Sequence, residues 1–191
     1  PRPAGRPPLI LPLSEKIRVL ATLGLDVLLI VPFTREFAAV PAEQFVEELL
    51  FRKLRAREVH VGANFHFGRG GIGDFELMLH EGSRLGVRIE REPVVLFDSQ
   101  PISSTRIRDN IERGAVDRAA AMLGREYAIR GLVVRGKGRG AGLGFSTANL
   151  STDNELIPAE GVYVTRPEVA GKIRHAVTNI GDRPTFGERE R

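Results

Sequence analysis

Neither cysteine nor tryptophan occurs among the 191 residues, and tyrosine and methionine occur only twice each. Without cysteine there can be no disulfide and no thiolate metal site. With no tryptophan and 6% aromatic residues overall, there is little from which to build a base-stacking surface for nucleic acid. Long apolar runs are missing as well: VLLIV at 27–31 is far too short to cross a bilayer. The proline-rich lead PRPAGRPPLILP has no apolar stretch of the secretion-signal kind, so a cytoplasmic setting is expected. His60, His66, His80 and His175 have no metal-ligand spacing. There is also no H-E-x-x-H and no G-x-S-x-G, which leaves zinc and serine-hydrolase chemistry unsupported.

What is present is ordinary globular composition, 42% hydrophobic and 27% charged, with a formal charge of +4 and a pI near 9.9. That is a mild bias toward anionic ligands, phosphates included. The length suits one large domain or two small ones. Helical spacing is read over 14–23, with Ser14 as its cap, and over 41–54, with Pro41 in the first turn. The nearly all-apolar run 26–31 reads as a strand covered on both faces of a parallel sheet, and 58–61 reads as a second strand. A helix over 76–85, strands over 87–90 and 94–97, and a helical pair over 104–113 and 116–123 continue an α/β rhythm. After Gly124 the texture changes to short β-type runs at 127–134, 161–165 and 175–178, which suggests a small all-β unit.

Three segments could carry chemistry. VGANFHFGRGGIGD (61–74) follows a strand, where ligands of open α/β sheets sit. Asn64 and Arg69 are polar candidates there, and Phe65 and Phe67 alternate so as to pack or stack; a plain flexible turn is the rival reading. PISSTRIRDN (101–110) puts three hydroxyl residues and two arginines at a helix start, where free N–H groups attract phosphate. Ser104, Thr105 and Arg108 are the candidates, against simple helix capping with solvated arginines. In GKGRGAGLGFSTANL (136–150), glycine takes every second position from Gly136 to Gly144. Exposed backbone N–H groups there could line a phosphate, with Lys137 and Arg139 adding charge. Thr147 and Asn149 share one side of an extended segment, and their hard oxygen donors suit Mg²⁺. A mobile hairpin is the alternative, and the order of residues is not that of a Walker A loop.

Taken in order, GANFHFGRGGIGD, ISSTRIR, LGREYAIRG, GRGAGLGFSTANL, PAEGVY and NIGDRPTF resemble the bacterial bifunctional riboflavin kinase/FMN adenylyltransferase (FAD synthetase) family. The resemblance runs from about Leu13 to the end and includes FTREFAAVPAEQFVEELL (33–50). It implies a Rossmann-like α/β nucleotidyltransferase domain over 1–123, making FAD and pyrophosphate from FMN and ATP. It also implies a small Greek-key β-barrel over 124–191, phosphorylating riboflavin to FMN. Carried over by position, Asn64 falls in the flavin- and nucleotide-contacting loop, and Ser104, Thr105 and Arg108 fall in the ATP-phosphate motif. Gly136, Gly138, Arg139 and Gly144 would wrap the kinase nucleotide, and Thr147 and Asn149 would bind Mg²⁺ and phosphate. Small molecules (ATP, riboflavin, FMN) are the implied partners, with no nucleic acid and no membrane.

The departures have consequences. The family's G-x-F-D-G-x-H-x-G-H loop is absent, and the kinase glutamate belongs downstream of PTF, beyond PTFGERER; Glu188 and Glu190 stand too close to the motif to be assigned that role. Ser146 replaces a proline and Ala141 an arginine, which removes preorganisation and a phosphate contact. The expectation is an internal fragment or a decayed relative, weak in ATP or flavin binding and slow or inactive as it stands. A non-catalytic flavin or nucleotide binder is the alternative. A nucleic-acid module on 130–139 is a third reading, opposed by the lack of aromatic residues bordering it.

Overall fold

A parallel pair of strands with a helix crossing between them frames one half of the structure. The computed structural model describes residues 5–134 and 147–181. These gather into two compact units, one spanning Asp26–Pro101 and the other combining the residues before Asp26 with those after Pro101.

In the first unit, β1 (Glu58–Val61) pairs with β2 (Arg88–Arg91), Val59 opposite Ile89. The crossover between them is the helix Phe75–Leu85, called α4 after three shorter or earlier helices: α1 (Leu13–Ala21), α2 (Arg35–Ala38) and α3 (Ala42–Gln44). Asp74 caps α4 by accepting from the Leu77 N–H at 2.9 Å, and Gly86 ends it in the left-handed conformation. Gly82 is poor in a helix interior, yet a β-carbon there would lie 2.5 Å from Ile89 Cγ1. Its absence is what lets α4 lie close on β2. One turn away, Arg84 grips the nearly buried Glu81 through Nε at 3.0 Å and Nη2 at 2.8 Å and holds its carboxyl below the usual range.

The helix expected over 41–54 is present, but its winding differs. α3 follows Pro41 and runs directly into a π-helix, Phe45–Lys53, in which bonds reach five residues back, as Leu54 N–H does to Leu49 O at 2.9 Å. Ala42, Val46, Val61, Phe67, Met78, Val87 and Ile89 form the core beneath. A tight hairpin, β3 (Leu96–Phe97) with β4 (Gln100–Pro101), turns through Asp98 and Ser99, both at positive φ.

Two expectations fail here. Residues 26–31 form no strand and are not covered: Val27 is 82% exposed and Leu29 55%. Apolar composition favours burial but supplies no ladder partner, and no described residue pairs with this run. Ser14 does not cap α1 either; the helix begins after Pro12, whose fixed φ of −54° leads into it, so Ser14 lies inside the first turn.

In the second unit, α5 (Ser104–Glu112) and α6 (Val116–Leu123) are joined through Gly114, at φ 76°, and bury Ile107, Ile111, Ala119 and Met122. Beyond them the described strands pair antiparallel, two by two: β5 (Gly131–Val134) with β6 (Asn149–Thr152), and β7 (Gly161–Thr165) with β10 (Ala176–Ile180). A small hairpin joins β8 (Glu168–Val169) and β9 (Lys172–Ile173). After Gly124 the described residues contain strands and no helix, and no closed barrel forms among them.

Candidate functional site

The loop leaving β1 is fixed at both ends. Phe65 N–H turns back to Gly62 O at 3.1 Å, and Phe67 and Gly73 exchange backbone bonds of 3.0 and 2.9 Å. Between them Arg69 N–H reaches Val40 O at 2.7 Å, which ties the loop to the entry of α3. Asn64 stands exposed at the tip.

Around this loop runs a chain of phenylalanine rings. Phe33 meets Phe37 edge-on at 5.8 Å, Phe37 meets Phe45 at 6.4 Å, Phe45 meets Phe67 at 5.4 Å, and Phe67 stacks on Phe65 at 5.7 Å. Such spacings are favourable beyond plain area burial. Thr34 places Phe37 by accepting its N–H at 3.1 Å at the start of α2. The five rings, with Ala38, Val40, His66 and Gly68, line a cavity of about 200 Å³. That is below the ~300–1,000 Å³ of a site enclosing a whole drug-sized ligand, so it suits one flat ring system better than a complete nucleotide.

The alternation of Phe65 and Phe67 left packing and stacking both open, and the two rings do stack, but Phe33, Phe37 and Phe45 were not read as part of a site. The available clue was density: six of the ten phenylalanines fall between residues 33 and 67.

At α5, capping is done by Ser103, whose Oγ accepts from Arg106 N–H at 3.3 Å. Ser104 and Thr105 are thereby left exposed on the first turn, where backbone N–H groups have no helical acceptor. Capping by Ser103 thus leaves the Ser104 and Thr105 hydroxyls out of that role. Arg108, half-buried on the next turn, donates through Nε to Pro8 O at 2.7 Å. Asn64 belongs to the first unit, whereas Ser104, Thr105 and Arg108 belong to the second.

Thr147 is exposed two residues before β6, and Asn149 opens that strand opposite Val134. Gly136, Gly138, Arg139 and Gly144, like Lys137, Ala141, Ser146, Glu188 and Glu190, lie outside the described residues. The described residues contain no cluster of three or more His, Asp or Glu side chains suited to a metal. A hydroxyl and an amide oxygen fit Mg²⁺ bound by few protein groups and completed by phosphate and water, and do not fit an all-protein cage.

The family model of FAD synthetase matches residues 2–106, and that of riboflavin kinase matches residues 123–191. The chain is 39% identical over 176 residues to the bifunctional riboflavin kinase/FMN adenylyltransferase of Escherichia coli (strain K12), covering 91% of this chain and 56% of that protein. With the protein of the same name from Bacillus subtilis (strain 168) it is 34% identical over 184 residues, 95% of this chain and 57% of that one. It therefore spans about half the length of the curated relatives it matches. A crystal structure described as a macrolide-efflux protein from Streptococcus pneumoniae aligns with a TM-score of 0.83 at 31% identity, covering 93% of this chain and 57% of that one. Among the described residues no helix is long and apolar enough to cross a membrane.

Proposed function

The chain belongs to the bifunctional riboflavin kinase/FMN adenylyltransferase family, and from that premise we propose that it serves flavin-cofactor synthesis by two ATP-dependent transfers. Riboflavin is phosphorylated to FMN in residues 124–191, of Greek-key barrel type. FMN is adenylylated to FAD through residues 1–123, of Rossmann-like nucleotidyltransferase type. The setting is the cytoplasm and the partners are small molecules. The observation that carries the reading is the cavity of five phenylalanine rings beside Asn64 at the carboxyl end of β1, which offers flat apolar faces to an isoalloxazine ring.

In adenylyl transfer, an FMN phosphate oxygen attacks the α-phosphorus of ATP and pyrophosphate departs. Thr105 and Ser104, with the unpaired N–H groups of the α5 start, take the departing phosphates, and Arg108 offsets their charge. Asn64 is assigned to a polar edge of flavin or nucleotide. In the kinase reaction, the riboflavin hydroxyl oxygen attacks the γ-phosphorus, the bond from that phosphorus to the β-phosphate oxygen breaks to release ADP, and the hydroxyl proton is lost to solvent. Thr147 and Asn149 would hold Mg²⁺ together with phosphate oxygens. When bound, the ion supplies neutralisation of phosphate charge, the main demand of such transfers. The glycine-rich stretch Gly136, Gly138, Arg139 and Gly144 is assigned to the same nucleotide.

The test is incubation of the full-length protein with riboflavin, ATP and Mg²⁺, followed by chromatographic separation of FMN and FAD. Both products are expected. Binding of FMN or ATP with neither product would leave only a non-catalytic binder, and no binding at all would overturn the assignment.

A further inference from the structure

Three side chains from distant parts of the sequence hold the segment 6–10. Arg108 Nε donates to Pro8 O at 2.7 Å. Glu155 uses both carboxylate oxygens: Oε1 takes Arg6 Nη2 at 2.5 Å and Oε2 takes the Leu9 N–H at 2.9 Å. The Tyr127 hydroxyl donates to Leu156 O at 2.7 Å and lies 3.2 Å from Ile10 O, and burial pushes its phenol above the usual pKa. All of these residues belong to one compact unit.

The segment itself is stiff. Pro7 and Pro8 fix φ and donate no hydrogen bond, so the position of the Pro8 carbonyl is set by what grips its two flanks. Arg6 and Leu9 are those flanks, and one carboxylate holds both. On the other side of that carbonyl, Arg108 commits only Nε–H. The four N–H donors on Nη1 and Nη2 have no partner among the described residues. A guanidinium anchored at Nε with its fork open is oriented to receive phosphate oxygens in pairs.

We propose that Glu155 is a positioning residue for phosphate recognition by Arg108: by clamping Arg6 and the Leu9 N–H it fixes the Pro8 carbonyl, which in turn orients the guanidinium. Glu155 follows β6 by three residues and lies within the stretch that matches riboflavin kinase, residues 123–191. A residue of the kinase half thereby tunes the nucleotide site of adenylyl transfer. A plain surface ion pair would do neither, since pairs as exposed as Arg6 (41%) and Glu155 (29%) contribute little by themselves. What separates the two is the second oxygen on a backbone N–H and the proline carbonyl held between the two grips.

The inference rests on the proposed function, and the experiment keeps their failures apart. Calorimetric titration of the full-length protein with ATP and with inorganic pyrophosphate is run on wild type, Glu155→Ala, Arg108→Ala and the double variant. Steady-state FAD formation and riboflavin phosphorylation are measured in parallel. Glu155→Ala is expected to weaken pyrophosphate binding and raise the KM for ATP in FAD formation roughly three- to tenfold, the order of one charge-assisted contact. Its thermal midpoint and its riboflavin phosphorylation should stay unchanged. In the Arg108→Ala background the same substitution should have no further effect. Unchanged affinity in Glu155→Ala, or an equal loss with and without Arg108, overturns the positioning role. Wild type that binds neither probe overturns the proposed function and this inference with it. Should Glu155→Ala not fold, Arg6→Gln removes one grip and leaves the Leu9 bond. A smaller loss that again depends on Arg108 supports the role, and no loss overturns it.

Discussion

Gly68 and Ala42 share one space: a β-carbon on Gly68 would lie 2.5 Å from the Ala42 Cα, and Gly68 itself holds φ +74°. This contact seats the β1 loop on α3 and brings Phe65 and Phe67 to the rings of Phe33, Phe37 and Phe45. Gly68→Ala meets both a steric clash and a left-handed backbone. It is expected to cost about 2–4 kcal/mol of stability, measured by urea denaturation, and to weaken FMN binding with it. Wild-type stability would show that the loop can leave the helix at no cost.

Two neighbouring rings should behave differently. Phe67 is 6% exposed and belongs to the core, whereas Phe65 is 38% exposed and lies on it. Phe67→Ala is expected to lose about 3–5 kcal/mol. Phe65→Ala should lose about 1 kcal/mol or less while weakening FMN about tenfold, the order of one lost stacking face. Quenching of flavin fluorescence on titration reads the second effect, and an unchanged FMN affinity in Phe65→Ala would remove that ring from the site.

Adjacent serines at the start of α5 differ in what holds them: Ser103 caps the helix and Ser104 is exposed. Ser103→Ala removes the cap and should cost about 1 kcal/mol. Ser104→Ala, at an exposed position, should stay within about 0.5 kcal/mol yet slow FAD formation. Chemical denaturation beside an FAD assay separates them; the reverse pattern would move the cap to Ser104 and empty the assigned phosphate contact.

His60 gives the structure a pH-dependent element. Its ring is held chiefly by Glu92, 2.6 Å from Nδ1, and also by Glu58, 3.0 Å from Nε2, and the pKa is raised despite partial desolvation. The folded state therefore prefers the charged ring. Its stabilisation is complete below the unfolded value near 6.5 and fades as pH rises through the higher folded value. The thermal midpoint of His60→Gln should fall short of wild type at about pH 6 and converge on it at about pH 8.5. A gap that widens with pH would contradict the assignment.

Much of the frame was legible because local patterns decided it. β1 over 58–61, β7 over 161–165 and α6 over 116–123 form where their spacing places them. The run at 26–31 misled because apolar content signals a wish for burial without naming a partner. The π winding at 45–53 left no trace in composition, since it concerns which carbonyl each N–H selects. Candidate site residues could be named from the sequence where one short motif carries them, as at Asn64, Ser104 and Thr105. The ring cavity escaped because Phe33 and Phe67 come to line one cavity only through the fold. The anchoring of Arg108 escaped for the same reason, joining residues a hundred positions apart.

Two nucleotide sites, one per half of the sequence, are proposed to do separate chemistry. The most direct test assays both products in full-length Thr147→Ala and Arg108→Ala. Thr147→Ala should reduce FMN formation from riboflavin by on the order of tenfold or more and spare FAD formation from supplied FMN, and Arg108→Ala should do the opposite. Equal loss of both activities in either variant would contradict that division.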